Sequence, residues 1–359
     1  MGQKLNFQIV LPGVAFSLAI ASVALVLSDT SLLKLHVFSP LTLAILIGIG
    51  LGNTIYPKIA KVCASGVTFS RQWLLQLGII LYGFRLTFSD IANVGLQGVL
   101  IDALVLTSTF ALAWIAGHKL LRLNSHTVVL IGAGSAICGA AAVMATEPIV
   151  RGRAEHASVA VSTVLIFGTL AMFIYPALYT LNQTWHWLPA SHQAFGLFTG
   201  STIHEVAQVV ATGETLGDTI ADTAVITKMV RVMMLAPFLM LLSVYLANRQ
   251  PTKTECANQD KPLKQDKKKT KVTIPWFAVI FILVAGLNSL AILPSDWVRQ
   301  ANELDTLLLT MAMAALGLCT HLSALKQAGV KPILLGGLLF AWLIVGGTVI
   351  NYCIVTLLA

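Results

Sequence analysis

The sequence predicts an all-α integral membrane protein, and three observations carry that prediction. Only 11% of the 359 residues are charged and 57% are hydrophobic, with a mean hydropathy of +0.83, whereas a soluble domain carries about 25% charged residues. The apolar residues gather into eleven runs, and a helix of roughly 20 apolar residues spans a hydrocarbon core about 30 Å thick. The positive charge is also localised: Arg249 to Lys271 holds eight basic and three acidic residues, +5 of the net +8. A soluble enzyme and a nucleic-acid-binding stripe are both excluded by this pattern.

The runs extend from Ile9 to Leu27, Pro40 to Tyr56, Trp73 to Phe88, Leu96 to Gly117, Thr127 to Glu147, Ala157 to Pro176, His192 to Gly213, Ile220 to Leu246, Ile274 to Leu293, Leu304 to Leu322 and Pro332 to Leu358. Lys4 and Ala19-Ile20-Ala21 give the first run a signal-peptide look. Its continuation to Leu27 fits a retained anchor better. The chain thus divides into a transmembrane bundle over 1–247 (spans one to eight), a basic cytoplasmic loop over 248–273 expected to be disordered, and spans nine to eleven over 274–359. Five widely spaced cysteines with no Cys-x-x-Cys pair argue against a disulfide framework or a zinc site.

If the spans alternate from a cytoplasmic N-terminus, sixteen Lys and Arg fall inside and four outside, three lying within spans. This asymmetry puts the C-terminus in the periplasm. Arg151 and Arg153 fit it badly and make the fifth run a candidate re-entrant hairpin.

Two runs break the pattern of a plain spanning helix. Placed with Gly134 over Gly200, they share seven of thirteen positions: Gly, Ser, Ile, Ala, Val, Ala and Thr. Glycine-rich stretches such as Gly132-Ala133-Gly134-Ser135 and Gly200-Ser201-Thr202 invite unwinding, which membranes tolerate only beside protein or a water-filled cavity. An interrupted helix offers free N–H groups and a positive dipole end to an anion. The plainer alternative is close helix packing by small residues. Gly132-x-Gly134 lacks the strand of a dinucleotide-binding turn, and His204-Glu205-Val206-Ala207-Gln208 lacks the second histidine of a zinc protease.

Ionisable groups inside spans are costly and so are candidates for function. Lys228 and Arg231 share a helix face and would cradle an anion, or form a structural pair with Glu205 or Asp222. His204 and Glu205 are candidates to carry a coupling proton. Arg85 and Asp102 are expected to meet as a structural ion pair, and Glu147, before Pro148, to be solvated at a helix end. Gly52-Asn53-Thr54-Ile55 resembles Gly200-Ser201-Thr202-Ile203 five spans away, which favours a five-plus-five inverted repeat of spans two to six and seven to eleven.

The stretches Gly132 to Ala142, Gly200 to Val210 and Lys228 to Pro237 resemble the YeiH family of bacterial inner-membrane proteins, a family commonly labelled as sulfate exporters. The resemblance runs over essentially the whole chain, including Leu77 to Asp90 and Phe340 to Asn351. It implies a multi-pass plasma-membrane protein related in architecture to transporters with broken, crossing helices.

The expectation is a secondary transporter for a small anion, sulfate or another sulfur oxyanion, without enzymatic activity or cofactor. No P-loop is visible, so a gradient would drive it. Substrate would meet Gly134, Ser135, Cys138, Gly200, Ser201, Thr202, Lys228 and Arg231, with His204 and Glu205 coupling protons. An intramembrane enzyme using His204 and Glu205, or an anion channel, is the alternative. The expected partners are the anion and the lipid bilayer, with a homodimer allowed and no nucleic acid.

Overall fold

The computed structural model describes residues 7–28, 39–150, 154–189, 191–248, 276–320 and 329–358, and every regular element among them is helical. In chain order these are α1 (Phe7–Ser28), α2 (Pro40–Thr54), α3 (Tyr56–Phe69), α4 (Leu75–Tyr82), α5 (Phe88–Ile115), α6 (Ser125–Ala136), α7 (Ala140–Val150), α8 (Ala154–Trp185), α9 (His192–Thr202), α10 (Val206–Leu216), α11 (Asp218–Met233), α12 (Leu235–Asn248), α13 (Trp276–Ser289), α14 (Ser295–Leu318) and α15 (Val330–Leu357). The basic segment after Asn248, and Arg151 and Arg153, lie outside the described residues.

Local chemistry sets several starts. Ser39 accepts the Thr42 N–H at 3.3 Å ahead of Pro40, and Thr87 and Asp90 form a capping box in which the Thr87 N–H reaches Asp90 Oδ2 at 2.8 Å. Asn124 accepts from the His126 N–H at 2.9 Å and Ser191 from the Ala194 N–H at 3.0 Å, so α6 and α9 both begin on a side-chain cap.

Among the described residues, five helical stretches are long and apolar enough to cross a membrane: Gln8–Ser28, Phe88–Leu120, Glu155–Trp185, Asp218–Leu246 and Val330–Leu357. The expected third span starts earlier than read. α3 and α4 are one rod joined by a π turn over Ser70–Leu74, so Lys58, Lys61 and Arg71 are helical instead of lying in a loop. Two of the eleven expected spans, Thr127 to Glu147 and His192 to Gly213, are helical hairpins, α6–α7 and α9–α10, for reasons given below.

The helices form two bundles. In the first, α1 packs on α3, and α2 and α4 pack on α14, with α13 beside α4. Glycines allow the backbones to touch, as in membrane interfaces without a hydrophobic driving force. A Cβ on Gly13 would sit 2.7 Å from Gly66 Cα, and one on Gly317 2.9 Å from Gly48 Cα. The second bundle wraps α5, α8, α11 and α15 around the two hairpins.

Gly317→Val should therefore lower thermal stability in detergent by about 1–3 kcal/mol of overpacking strain, while Gly50→Ala, which faces open space, should leave it unchanged. A cysteine-free chain carrying single Ser125→Cys, Glu155→Cys or His192→Cys substitutions tests the hairpin topology. Membrane-impermeant thiol reagents should reach the first two from one side and the third from the other; opposite labelling of the first two would mean that α6–α7 crosses.

Candidate functional site

The first hairpin turns at Gly139, whose φ of +67° suits glycine and whose N–H returns to the Gly134 carbonyl at 2.9 Å. α7 then runs back along α6, since a Cβ on Gly134 would lie 2.8 Å from Val143 Cγ2. The second hairpin turns through extended backbone at Ile203 and Glu205, with ψ of 148° and 150°. Its direction is read against α11: Gly196 and Gly200 on α9 meet Thr223 and Thr227, whereas Gly213 on α10 meets Ala221. Hence α9 runs with α11 and α10 runs against it.

The hairpins point in opposite directions, and α8 measures this. His126 stacks on His156 with centroids 5.7 Å apart at the proximal end of α8, where it begins. Farther along, Gly134 meets Val164 and Gly168 lies against the Gln208 side chain. The Tyr175 hydroxyl donates to Thr202 Oγ1 at 2.7 Å, and Tyr179 packs on Phe195 at 4.9 Å toward the distal end. The first hairpin therefore enters from the proximal end and the second from the distal end, and their tips meet midway.

The sequence match is in register with this geometry: α6 ends at Ala136 and α9 at Thr202, α7 starts at Ala140 and α10 at Val206. With only α8 crossing between them, the two segments are inverted, whereas full crossings would have made them parallel. The inverted pair is thus hairpin against hairpin. Gly52 and Asn53, expected to match the second break, pack on Leu318 and Thr320 in the other bundle.

Lys228 and Arg231 bind the two tips together. Lys228 Nζ donates to the Ile137 carbonyl at 2.9 Å and to the Ile203 carbonyl at 2.5 Å. Arg231 donates to Ala136 at 2.7 Å, to Ser135 at 3.1 Å and to the Ser201 carbonyl. These oxygens belong to the C-terminal ends of α6 and α9, where carbonyls lack helical partners and the dipole is negative. Both cations are fully buried at 0% exposure. The anion cradle expected of them is therefore occupied by backbone, and neither Glu205 nor Asp222 is their ion-pair partner among the described residues.

Five other expected substrate residues sit behind the tips. Gly134 and Gly200 are helix contacts; the Ser135 hydroxyl is buried without a partner; Ser201 Oγ accepts from Asn351 at 3.2 Å; Thr202 donates to the Phe198 carbonyl. Of the expected set, Cys138 and Glu205 line a cavity. That cavity, of about 330 Å³, lies between the hairpin tips and the first bundle, where Arg71, Gln72 and Gln76 face Ala140, Cys138 and Glu205. The N-terminal turns of α7 and α10 line it, and it extends along α7 as far as Met144 toward the proximal end. Glu205 Oε1 accepts the Ala140 N–H at 3.1 Å, capping α7, and Arg71 is a charged neighbour of that carboxylate. A π turn such as the one presenting Arg71 is common at functional sites. Sequence reasoning missed Arg71, Gln72 and Gln76; the available signal was Gln72 and Gln76 four residues apart, hence on one helix face, with Arg71 next to them at the start of an apolar run.

His204 lies away from the cavity, 1% exposed, with its ring 6.2 Å from Phe340 and both nitrogens unpartnered. Arg85 meets Asp305 at 2.9 Å and lies 3.9 Å from Glu214, which replaces its expected pairing with Asp102. Asp102 is instead fully buried, with Lys228 and Arg231 as its charged neighbours. Glu147 sits in α7, partly buried, beside Pro148 within the helix.

The family described as conserved hypothetical protein 698 matches residues 12–336. The chain is 58% identical over 340 residues to a UPF0324 membrane protein of Pseudomonas aeruginosa, covering 95% of this chain and 93% of the relative. It is 56% identical over 341 residues to a UPF0324 membrane protein of Yersinia pestis (95% and 92%), and 54% identical over 349 residues to the UPF0324 inner membrane protein YeiH of Escherichia coli K12 (97% and 95%). With opposed helical hairpins in an all-α membrane fold and identities of this level over nearly its full length, the chain belongs to the UPF0324 (YeiH) family of membrane proteins.

Proposed function

We propose that the chain is a secondary transporter for a small anion, sulfate or another sulfur oxyanion, that works by alternating access in the bacterial inner membrane. The observation that carries this reading is the position of the cavity: it lies between two bundles, at the positive ends of α7 and α10, with Arg71 opposite. Helix N-termini meeting near mid-depth are how membrane carriers hold anionic groups. Cys138 and Glu205 contribute directly, while Gly134, Ser135, Gly200, Ser201, Thr202, Lys228 and Arg231 shape and hold the tips. Glu205, already on the Ala140 N–H, occupies the place an anionic oxygen would take.

A carrier is favoured over a channel by the distal closure. Ser39 and Thr42 of the first bundle reach the Ala211 carbonyl at 3.4 Å and Thr215 at 3.2 Å, and Arg85 spans Asp305 and Glu214 on opposite bundles. The cavity is thus sealed on one side. The hairpin topology also supports a cytoplasmic proximal end and a periplasmic C-terminus: the connection after Val150 joins the end that holds Lys119 and Arg122, which removes the misfit of Arg151 and Arg153.

Protein in liposomes should give saturable flux of at least one anion among sulfate, sulfite, thiosulfate and organic sulfonates; absence of protein-dependent flux across that panel would sink the assignment. Arg71→Gln should lower flux at limiting substrate by about tenfold or more, the loss of roughly one charge-assisted contact, with little change in thermal stability. Lys228→Met should abolish flux and also destabilise the fold, by about 1–3 kcal/mol for each hairpin carbonyl left unpaired, measured by thermal unfolding in detergent.

A further inference from the structure

Asp102 has no part in the site described so far, yet it is a buried carboxyl group with no hydrogen-bond partner. It stands on α5 between Ile101 and Ala103, is 0% exposed, and neither carboxylate oxygen has a hydrogen-bond partner. The charged groups acting on it are Arg231 and Lys228, both from α11. The other helices packed on α5, namely α6, α9, α13 and α15, bring no ionisable side chain that acts on it. The two cations spend their hydrogen bonds on the hairpin carbonyls instead. An ionised carboxylate buried without hydrogen bonds costs several kcal/mol, so the arrangement shown suits the neutral acid.

We propose that Asp102 is a proton-binding site whose charge state sets how firmly Lys228 and Arg231 hold the two hairpin tips. With the proton bound, the acid makes no demand on the cations and the tips stay clamped. When the proton leaves, the new carboxylate draws both cations toward itself, and any donor that turns from a hairpin carbonyl onto it releases an oxygen of Ser135, Ala136, Ile137, Ser201 or Ile203. The proton is the ligand, because the charged groups acting on this carboxylate are the two cations Arg231 and Lys228, which repel a metal ion. The use of this switch for coupling rests on the transporter reading; the switch itself does not.

The test separates the two. In a full-length chain whose Cys63, Cys256, Cys319 and Cys353 are replaced by serine, the thiol of Cys138 at the first tip reports clamping through its labelling rate. Between about pH 5 and 9, a range spanning the titration of buried carboxyls, labelling should rise with pH roughly fivefold or more beyond that of the same chain with Asp102→Asn, fivefold being the low end of typical site couplings. The asparagine chain controls for ionisation of the thiol itself. Infrared difference spectra of the parent chain against Asp102→Asn should also show the carbonyl band of a protonated carboxylic acid at low pH, lost at high pH. Equal labelling profiles in the two chains, or no such band at any pH, overturns the proposal. Should Asp102→Asn fail to fold, the pH-dependent band in the parent chain, assigned by a shift in Asp102→Glu, decides alone. An absence of anion flux would count against the transporter reading and leave these readouts standing.

Discussion

Four helix ends converge in the middle of the protein, and their unpaired backbone groups must be met by protein or face the cavity. Everything else in the architecture answers that constraint. The C-terminal carbonyls of α6 and α9 are met by five hydrogen bonds from Lys228 and Arg231, which couple charge compensation to backbone satisfaction. A buried lysine and arginine three residues apart would be prohibitive alone. Against two negative helix ends they become the fastener between hairpins that enter from opposite ends.

The division of labour at the tips follows from helix polarity. Negative ends point at α11 and are satisfied internally, which leaves the positive ends of α7 and α10 turned toward the cavity. The cations therefore set the geometry of the cavity without lining it, and the positive charge that does line it comes from Arg71 in the first bundle. This arrangement spans an interface between two bundles whose contacts are otherwise sparse, and the distal half of that interface is closed by Arg85, Glu214 and Asp305.

Much of this was legible beforehand. The seven-of-thirteen match located both interrupted segments, and the ill-fitting Arg151 and Arg153 flagged a hairpin, but the breaks fall just beyond the expected sites: Gly134-Ser135 and Gly200-Ser201-Thr202 are still helical, and the chain turns at 137–139 and 203–205. Lys228 and Arg231 stood out as intramembrane cations. Their partners did not, since backbone carbonyls leave no mark in sequence, and the pairing of Arg85 with Asp102 was inferred from neighbouring helices when the actual acid, Asp305, lies 220 residues away. Arg71 and Gln72 fall just before the third expected span, Trp73 to Phe88, and Gln76 lies inside it, so nothing along the chain set the three together.

By itself the sequence determined the membrane environment, the all-helical class and the two interruptions, because these depend on the transfer of side chains and backbone out of water and on the local freedom of glycine. Only the tertiary structure decided that the interrupted segments turn back, that they oppose one another, and which oxygens the buried cations serve. Those outcomes depend on long-range contacts among α5, α8, α11 and the hairpins, and a helix that ends at Ala136 or Thr202 looks the same along the chain whether it continues across the membrane or reverses within it.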